Sequence, residues 1–185
     1  DGELKWAAAG RSQDKLEQVK ASLGDAASAL PLITANANDA DSLDALCAQT
    51  RVVVSTVGPY ALYGEPMIKA CVNSGTDYCD LTGEAQWIAD MLEQYEATAK
   101  KNGARIVHCC GFDSIPSDMG VYFLQQQAQA RFNAPASTVR MRVKVAKGGV
   151  SGGTVASMMN IAEEAGKDPA LRKRLANPYL LCPPD

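Results

Sequence analysis

Much of what this 185-residue chain is can be narrowed by what it has little of. It has no basic surplus: 18 Lys and Arg stand against 21 Asp and Glu, a formal net charge of −3, which argues against nucleic acid as a partner. It has no apolar run approaching the roughly 18 residues a membrane span needs, and the segment from Asp1 does not read as a secretory signal. A soluble, cytoplasmic protein is expected, with peripheral membrane attachment left open. Its six cysteines form no CxxC pair and two of them, Cys109 and Cys110, are adjacent, so neither a metal site nor a disulfide framework is expected. Five lie in apolar or periodic segments, where a reduced thiol behaves as a small hydrophobe, and this suits a reducing compartment. There is one histidine, His108, and no GxGxxG turn leading into a helix.

What is present is an alternation of short β-branched runs with amphipathic helical stretches. Strands are expected at 5–9, 32–35, 51–56, 77–81 and 105–109. Helices are expected at 13–23, with Leu16, Val19 and Leu23 buried; at 40–49, burying Leu43, Leu46 and Cys47; after a Gly/Pro loop at 57–64, burying Met67, Ile68, Cys71 and Val72 and ending at Gly75; at 85–102, burying Trp87, Ile88, Met91, Leu92, Tyr95 and Ala99; and from 118 to about 130. The unbroken apolar run Arg51 to Thr56 suits a strand covered on both faces. From Thr138 the pattern changes: Val139, Met141, Val143 and Val145 alternate with Arg140, Arg142 and Lys144, as in an antiparallel strand with one wet face, followed by a glycine-rich turn and a helix at 154–165. The basic run Arg172-Lys173-Arg174 reads as a solvated helix face.

Five βα units in tandem imply an α/β fold with a doubly wound, Rossmann-type parallel sheet. In the order 3-2-1-4-5-6 the first strand leads into the glycine loop, and its absence makes residues 5–9 the second strand. The chain is therefore expected to be a fragment lacking its first βα unit and inactive alone. A dinucleotide-binding domain is expected over 1–130 and the beginning of an α+β substrate or dimerisation domain over 131–185.

The strand ends supply the candidate site. Arg11 follows the first strand present, where an arginine can hold a ribose 2′-phosphate, so NADP is favoured over NAD; a plain surface arginine is the alternative. Ser12 adds a hydroxyl or caps the helix, and Asn36, after the next strand, joins them as a cofactor-binding candidate. Val57, Gly58, Pro59 and Tyr60 follow the central strand, where glycine lets backbone approach a ribose or nicotinamide and tyrosine can bound a substrate pocket; a turn with a packed tyrosine is the bland reading. Asp80, Glu84, Asp113 and Asp118 either converge on a cleft or cap helices. Tyr60 and Asp113 are the candidate catalytic groups, while His108, inside an apolar strand, reads first as a hydrogen-bonded core histidine.

Four ordered motifs carry a family resemblance: Ala9-Gly10-Arg11-Ser12 with Lys15-Leu16; Val57-Gly58-Pro59-Tyr60 with Tyr63-Gly64-Glu65-Pro66; Tyr78-Cys79-Asp80-Leu81-Thr82-Gly83-Glu84; and Gly111-Phe112-Asp113-Ser114-Ile115-Pro116-Ser117-Asp118. Together they resemble the saccharopine dehydrogenase-like oxidoreductases, in particular the branch with trans-acting enoyl reductases. The resemblance implies nicotinamide-dependent reduction, with Arg11 and the 57–60 loop beside the cofactor, and points to a small-molecule or lipid-like substrate such as a polyketide acyl chain; a homodimerisation role for the second domain is left open. A non-catalytic nucleotide-sensing or lipid-associated protein is the alternative.

Overall fold

A computed structural model describes residues 4–145 and 147–182. The order is β1 (Ala8–Gly10), α1 (Gln13–Ser22), a 3-10 turn (Asp25–Ala27), β2 (Leu32–Thr34), α2 (Ala40–Cys47), β3 (Val52–Ser55), α3 (Tyr60–Tyr63), α4 (Glu65–Ser74), β4 (Asp77–Asp80), α5 (Ala85–Asn102), β5 (Ile106–Val107), α6 (Ile115–Phe132), α7 (Gly152–Lys167) and α8 (Pro169–Leu175). The architecture is α/β. β1 and β2 pair in parallel, Ala9 opposite Ile33, and a second sheet has the order β3-β4-β5. In that sheet Tyr78 N donates to Arg105 O at 2.8 Å and Cys110 N to Asp80 O at 2.7 Å, so residue numbers advance together across β4 and β5, as in parallel strands. Both adjacencies occur in the doubly wound order when β1 to β5 take positions 2 to 6.

The chain forms two compact units. One comprises the residues up to Val53 with Leu62–Tyr78 and Met91–Ile106; the other comprises Val54–Ala61, Cys79–Asp90 and the chain from Val107 onward. In the first, α2 packs on α4, burying Leu43, Leu46 and Cys47 against a helix whose Ile68, Cys71 and Val72 are fully covered. Each large aliphatic so buried contributes about 1.5–3 kcal/mol. α4 stops at Gly75, whose φ of 72° is the left-handed cap that glycine adopts without a Cβ penalty. α5 has the expected ends and buries Trp87, Ile88, Met91 and Ala99, although Leu92 is exposed and Tyr95 half-buried.

Several expectations are corrected. α1 buries Leu16 alone, and Val19 and Leu23 stand in solvent, because the two three-residue strands beside it offer too little surface to cover a helix stripe. β3 is not covered on both faces: Val53 and Ser55 are buried, but Val54 is 69% exposed, so the strand alternates despite its uniform apolar sequence. The 57–64 segment is not all loop, since Tyr60–Tyr63 makes one helical turn. Residues 138–145 form no strand, and Met141, Val143 and Val145 are all exposed. A lone alternating segment cannot bury a face without a ladder partner, and among the described residues it has none. The basic run is more than a solvated face: Arg174 reaches Asp90 Oδ1 at 2.6 Å, and Arg172 donates to Ala165 O at 2.6 Å, which ties α8 back to α7. No helix among the described residues is long and apolar enough to cross a membrane.

Candidate functional site

The C-terminal ends of β3, β4 and β5 carry a connected set of polar side chains, and the segment Asp80 to Glu84 organises it. Asp80 is buried at the last position of β4, where its Oδ1 accepts from Thr82 N at 3.1 Å. Thr82 Oγ1 in turn accepts from Glu84 N at 3.1 Å. Each short polar side chain thus replaces backbone pairing that the strand has just lost. The result points the buried Glu84 carboxylate at the first turn of α3, where Oε1 accepts from Tyr60 N at 2.8 Å and Oε2 from Ala61 N at 2.9 Å. Ser157, on α7, donates its hydroxyl to the same Oε1 at 2.8 Å. An acidic group at the first-turn N–H donors of a helix is the favourable sign of charge there.

Asp80 also holds His108. The imidazole Nδ1 lies 2.7 Å from Asp80 Oδ2, and the two side chains are 8% and 0% exposed. Cys109, the next residue, has φ 59°, a left-handed conformation that costs a side-chain-bearing residue about 1–3 kcal/mol. That turn takes Cys109 N out of the ladder and brings it 3.2 Å from Asp80 Oδ1, while Cys110 N takes over the bond to Asp80 O. The local strain is therefore offset by a third hydrogen bond to one buried carboxylate. Trp87 packs between the two sides of the set, its ring 5.5 Å from Tyr60 and edge-on to His108 at 5.2 Å. The Trp87 indole N–H and both ends of the Gln86 carboxamide are buried without a hydrogen-bond partner among the described residues. Buried polar groups left unpaired are costly.

Tyr60 is buried, and its hydroxyl donates to Ser55 O at 3.0 Å. Burial pushes its pKa up to about 12, reinforced by the charges of Asp80 and Glu84 and opposed by the Leu81 N–H. Its proton is held in the bond to Ser55 O. Gly58 and Pro59, joined by a cis peptide, precede it; a Cβ on Gly58 would stand 3.4 Å from the Tyr60 ring, while Val57 is exposed. Asp113 and Asp118 are exposed and do not join the buried carboxylates Asp80 and Glu84. A Cβ on Gly111 would sit 3.0 Å from Leu81 Cβ and 2.7 Å from Asp113 Oδ1, so a side chain here requires both neighbours to shift.

Arg11, Ser12 and Asn36 lie in the other unit, at the shared C-terminal edge of β1 and β2, where Ala35 N donates to Gly10 O at 3.0 Å. Arg11 is exposed, with no ion pair among the described residues. Ser12 caps α1, accepting from Lys15 N at 3.4 Å, which leaves its O–H to donate. Asn36 Oδ1 accepts from Asn38 N at 3.1 Å, leaving its amide protons. A guanidinium, a hydroxyl and a carboxamide around a helix N-terminus have the donor chemistry a phosphate requires, so these residues fit the 2′-phosphate of a dinucleotide. Sequence reasoning did not single out Trp87 as a site residue or Ser157 at all. Trp87 was visible only as one position of a buried stripe, and Ser157 meets Glu84 across 73 residues of chain.

Comparison with known proteins places this geometry in context. The family model described as the saccharopine dehydrogenase NADP binding domain matches residues 1–107. A Mycobacterium tuberculosis protein provisionally named a trans-acting enoyl reductase is 43% identical over 182 residues, 98% of this chain and 43% of that protein. A Mycobacterium bovis protein named trans-acting enoyl reductase is 40% identical over 176 residues, 95% of this chain and 42% of its own length. The chain thus spans about two fifths of the curated relatives it matches. Among solved structures, saccharopine dehydrogenase (L-Glu forming) from Saccharomyces cerevisiae shares the fold, with a TM-score of 0.56 and 18% identity over 70% of this chain and 27% of that one.

Proposed function

This chain belongs to the saccharopine dehydrogenase NADP-binding domain family, and we propose that it serves an NADP-dependent oxidoreductase that reduces an enoyl group on a lipid or polyketide acyl chain. The observation that carries the reading is the buried Asp80–His108 hydrogen bond of 2.7 Å at the ends of two neighbouring strands, the edge at which ligands bind in this architecture. Bound NADPH would supply the hydride. The chain's own residues do the rest. Arg11 takes the 2′-phosphate, with Ser12 and Asn36 as flanking donors. Val57, Gly58, Pro59 and Tyr60 form the wall that the dinucleotide's ribose and nicotinamide approach. Asp80 is a positioning residue that fixes the His108 ring and tautomer, and His108 exchanges the proton that accompanies reduction. The names of the mycobacterial relatives support the choice of an enoyl substrate.

Fluorescence titration of the intact protein that contains this chain with NADPH and NADH tests the cofactor assignment. Arg11→Ala is expected to weaken NADPH by about tenfold or more and to leave NADH unchanged, since one charged phosphate contact is lost. Binding of neither nucleotide refutes the reading. Consumption of NADPH with an enoyl thioester, abolished in His108→Asn and lowered with an altered pH profile in Asp80→Asn, tests the chemistry. Tight binding without turnover of any acyl substrate would leave a nucleotide-sensing or lipid-associated protein instead.

A further inference from the structure

Away from the strand ends just described, two thiols face each other where α2 meets α4. Cys47 Sγ lies 3.7 Å from Cys71 Sγ, and both residues are buried. The Cys47 backbone is held in place: Thr76 Oγ1 donates to its carbonyl at 3.2 Å, and Ser74 Oγ donates to Thr76 Oγ1 at 2.9 Å. Cys47, Ser74 and Thr76, with Thr50, Arg51 and Arg105, line a cavity of about 520 Å³ beside the N-terminal ends of β3, β4 and β5. We infer that Cys47 and Cys71 form a peroxide-sensitive thiol pair that closes to a disulfide between α2 and α4, with Cys47 the attacking thiol and the cavity its point of entry.

The two thiols are unequal in a way that suits these roles. The Cys71 thiol bonds to Cys47, and this, helped by Ser74 and opposed by burial and by the charge of Asp44, holds Cys47 down to about 7. Cys71 is pushed up by the same bond and by burial. Burial also pushes Cys79 and Cys109 up, so those thiols stay protonated. Cys47 lines the cavity and Cys71 does not, and together with its lowered pKa this access marks Cys47 as the nucleophile. Its sulfur attacks hydrogen peroxide; an S–O bond forms, the O–O bond breaks, and hydroxide leaves as water. The Cys71 sulfur then attacks the sulfenic sulfur of Cys47; the S–S bond forms, the S–O bond breaks, and a second water leaves with the Cys71 proton. Two thiols lose two electrons, and one peroxide becomes two waters. A bulky disulfide oxidant has no access to sulfurs this deeply covered, so the pair selects a small oxidant.

The test uses the reduced full chain carrying Cys182→Ser, which removes the exposed thiol. After treatment with hydrogen peroxide, alkylation under denaturing conditions and digestion, a Cys47–Cys71 linked peptide lacking two hydrogens is expected. The oxidised chain should melt about 5 °C or more above the reduced one, because the link closes a loop of some two dozen residues, and dithiothreitol should reverse both effects. Cys71→Ser, whose hydroxyl keeps a donor beside Cys47, should instead accumulate a dimedone-reactive sulfenic acid at Cys47, and Cys47→Ser should leave Cys71 unmodified. Recovery of both cysteines alkylated after peroxide, or oxidation of Cys79 or Cys109 ahead of them, overturns the inference.

Discussion

Replacing Glu84 with glutamine changes one atom of a buried carboxylate and should be felt well beyond it. The carboxylate accepts from Tyr60 N, Ala61 N and Ser157 Oγ at 2.8, 2.9 and 2.8 Å. Glutamine keeps one oxygen, which can still serve Tyr60 and Ser157. Its NH2 cannot accept from Ala61 N, so a part-buried donor is orphaned at a cost of about 1–3 kcal/mol. The two surviving bonds lose their charge assistance, which roughly halves each, a further ~1 kcal/mol together. The sum is about 2–4 kcal/mol, and for a chain of this size that corresponds to a fall in apparent Tm of roughly 5–15 °C. Ser157→Ala removes one bond and leaves the carboxylate two partners, so its loss should be only about 1 kcal/mol. Thermal unfolding of the full chain followed by circular dichroism gives both numbers. A Glu84→Gln variant melting within 2 °C of the parent, or one no worse than Ser157→Ala, would show that Glu84 does not hold α3 and that the hydrogen-bond reasoning is wrong; the 2 °C margin is set at roughly half the smallest expected shift.

Two more outcomes follow from local geometry. Gly75→Ala puts a Cβ 3.0 Å from the Asn102 carbonyl oxygen at a φ of 72°, and should destabilise the chain by about 2 kcal/mol in urea unfolding, where an alanine at an ordinary helix end would be neutral. Asp77 accepts from Arg105 N at 2.9 Å and Arg105 Nε at 3.0 Å, and the Arg105 side chain beside it holds its carboxyl below the usual 3.8. A lowered folded pKa contributes stability that is complete above 3.8 and is lost as pH falls through the folded value. The stability gap between the parent and Arg105→Ala should therefore be small, shrink with added salt and vanish in strong acid; a gap that persists at the lowest pH would point to packing instead.

How much of this was legible beforehand depends on the range over which each cause acts. The ends of helix α5 were readable because their signals are local: apolar positions at helical spacing, lysines in the last turn, and a glycine at 103, which takes a φ of 76°. Gly75 was readable for the same reason. The faces of β3 were not, since whether Val54 meets solvent depends on what lies across the sheet, and identical valines give no sign of it. The strand expected at 139–145 failed in the same way, as alternation states a preference that only a partner can satisfy. In the candidate site, Asp80 and Glu84 were visible as carboxylates in one motif, but capping and clustering predicted the same residues there.

The sequence by itself determined the alternation of strand and helix, the family, the helix stops at Gly75 and Gly103, and the presence of Arg11 at a strand end. Tertiary structure decided which polar groups meet. It tied Asp80 to His108 across 28 residues and Glu84 to Ser157 across 73, turned Cys109 left-handed to add a donor, and set Cys47 against Cys71. Backbone periodicity and capping are written within a few residues, whereas the convergence of side chains depends on how distant elements pack, and no local pattern encodes that.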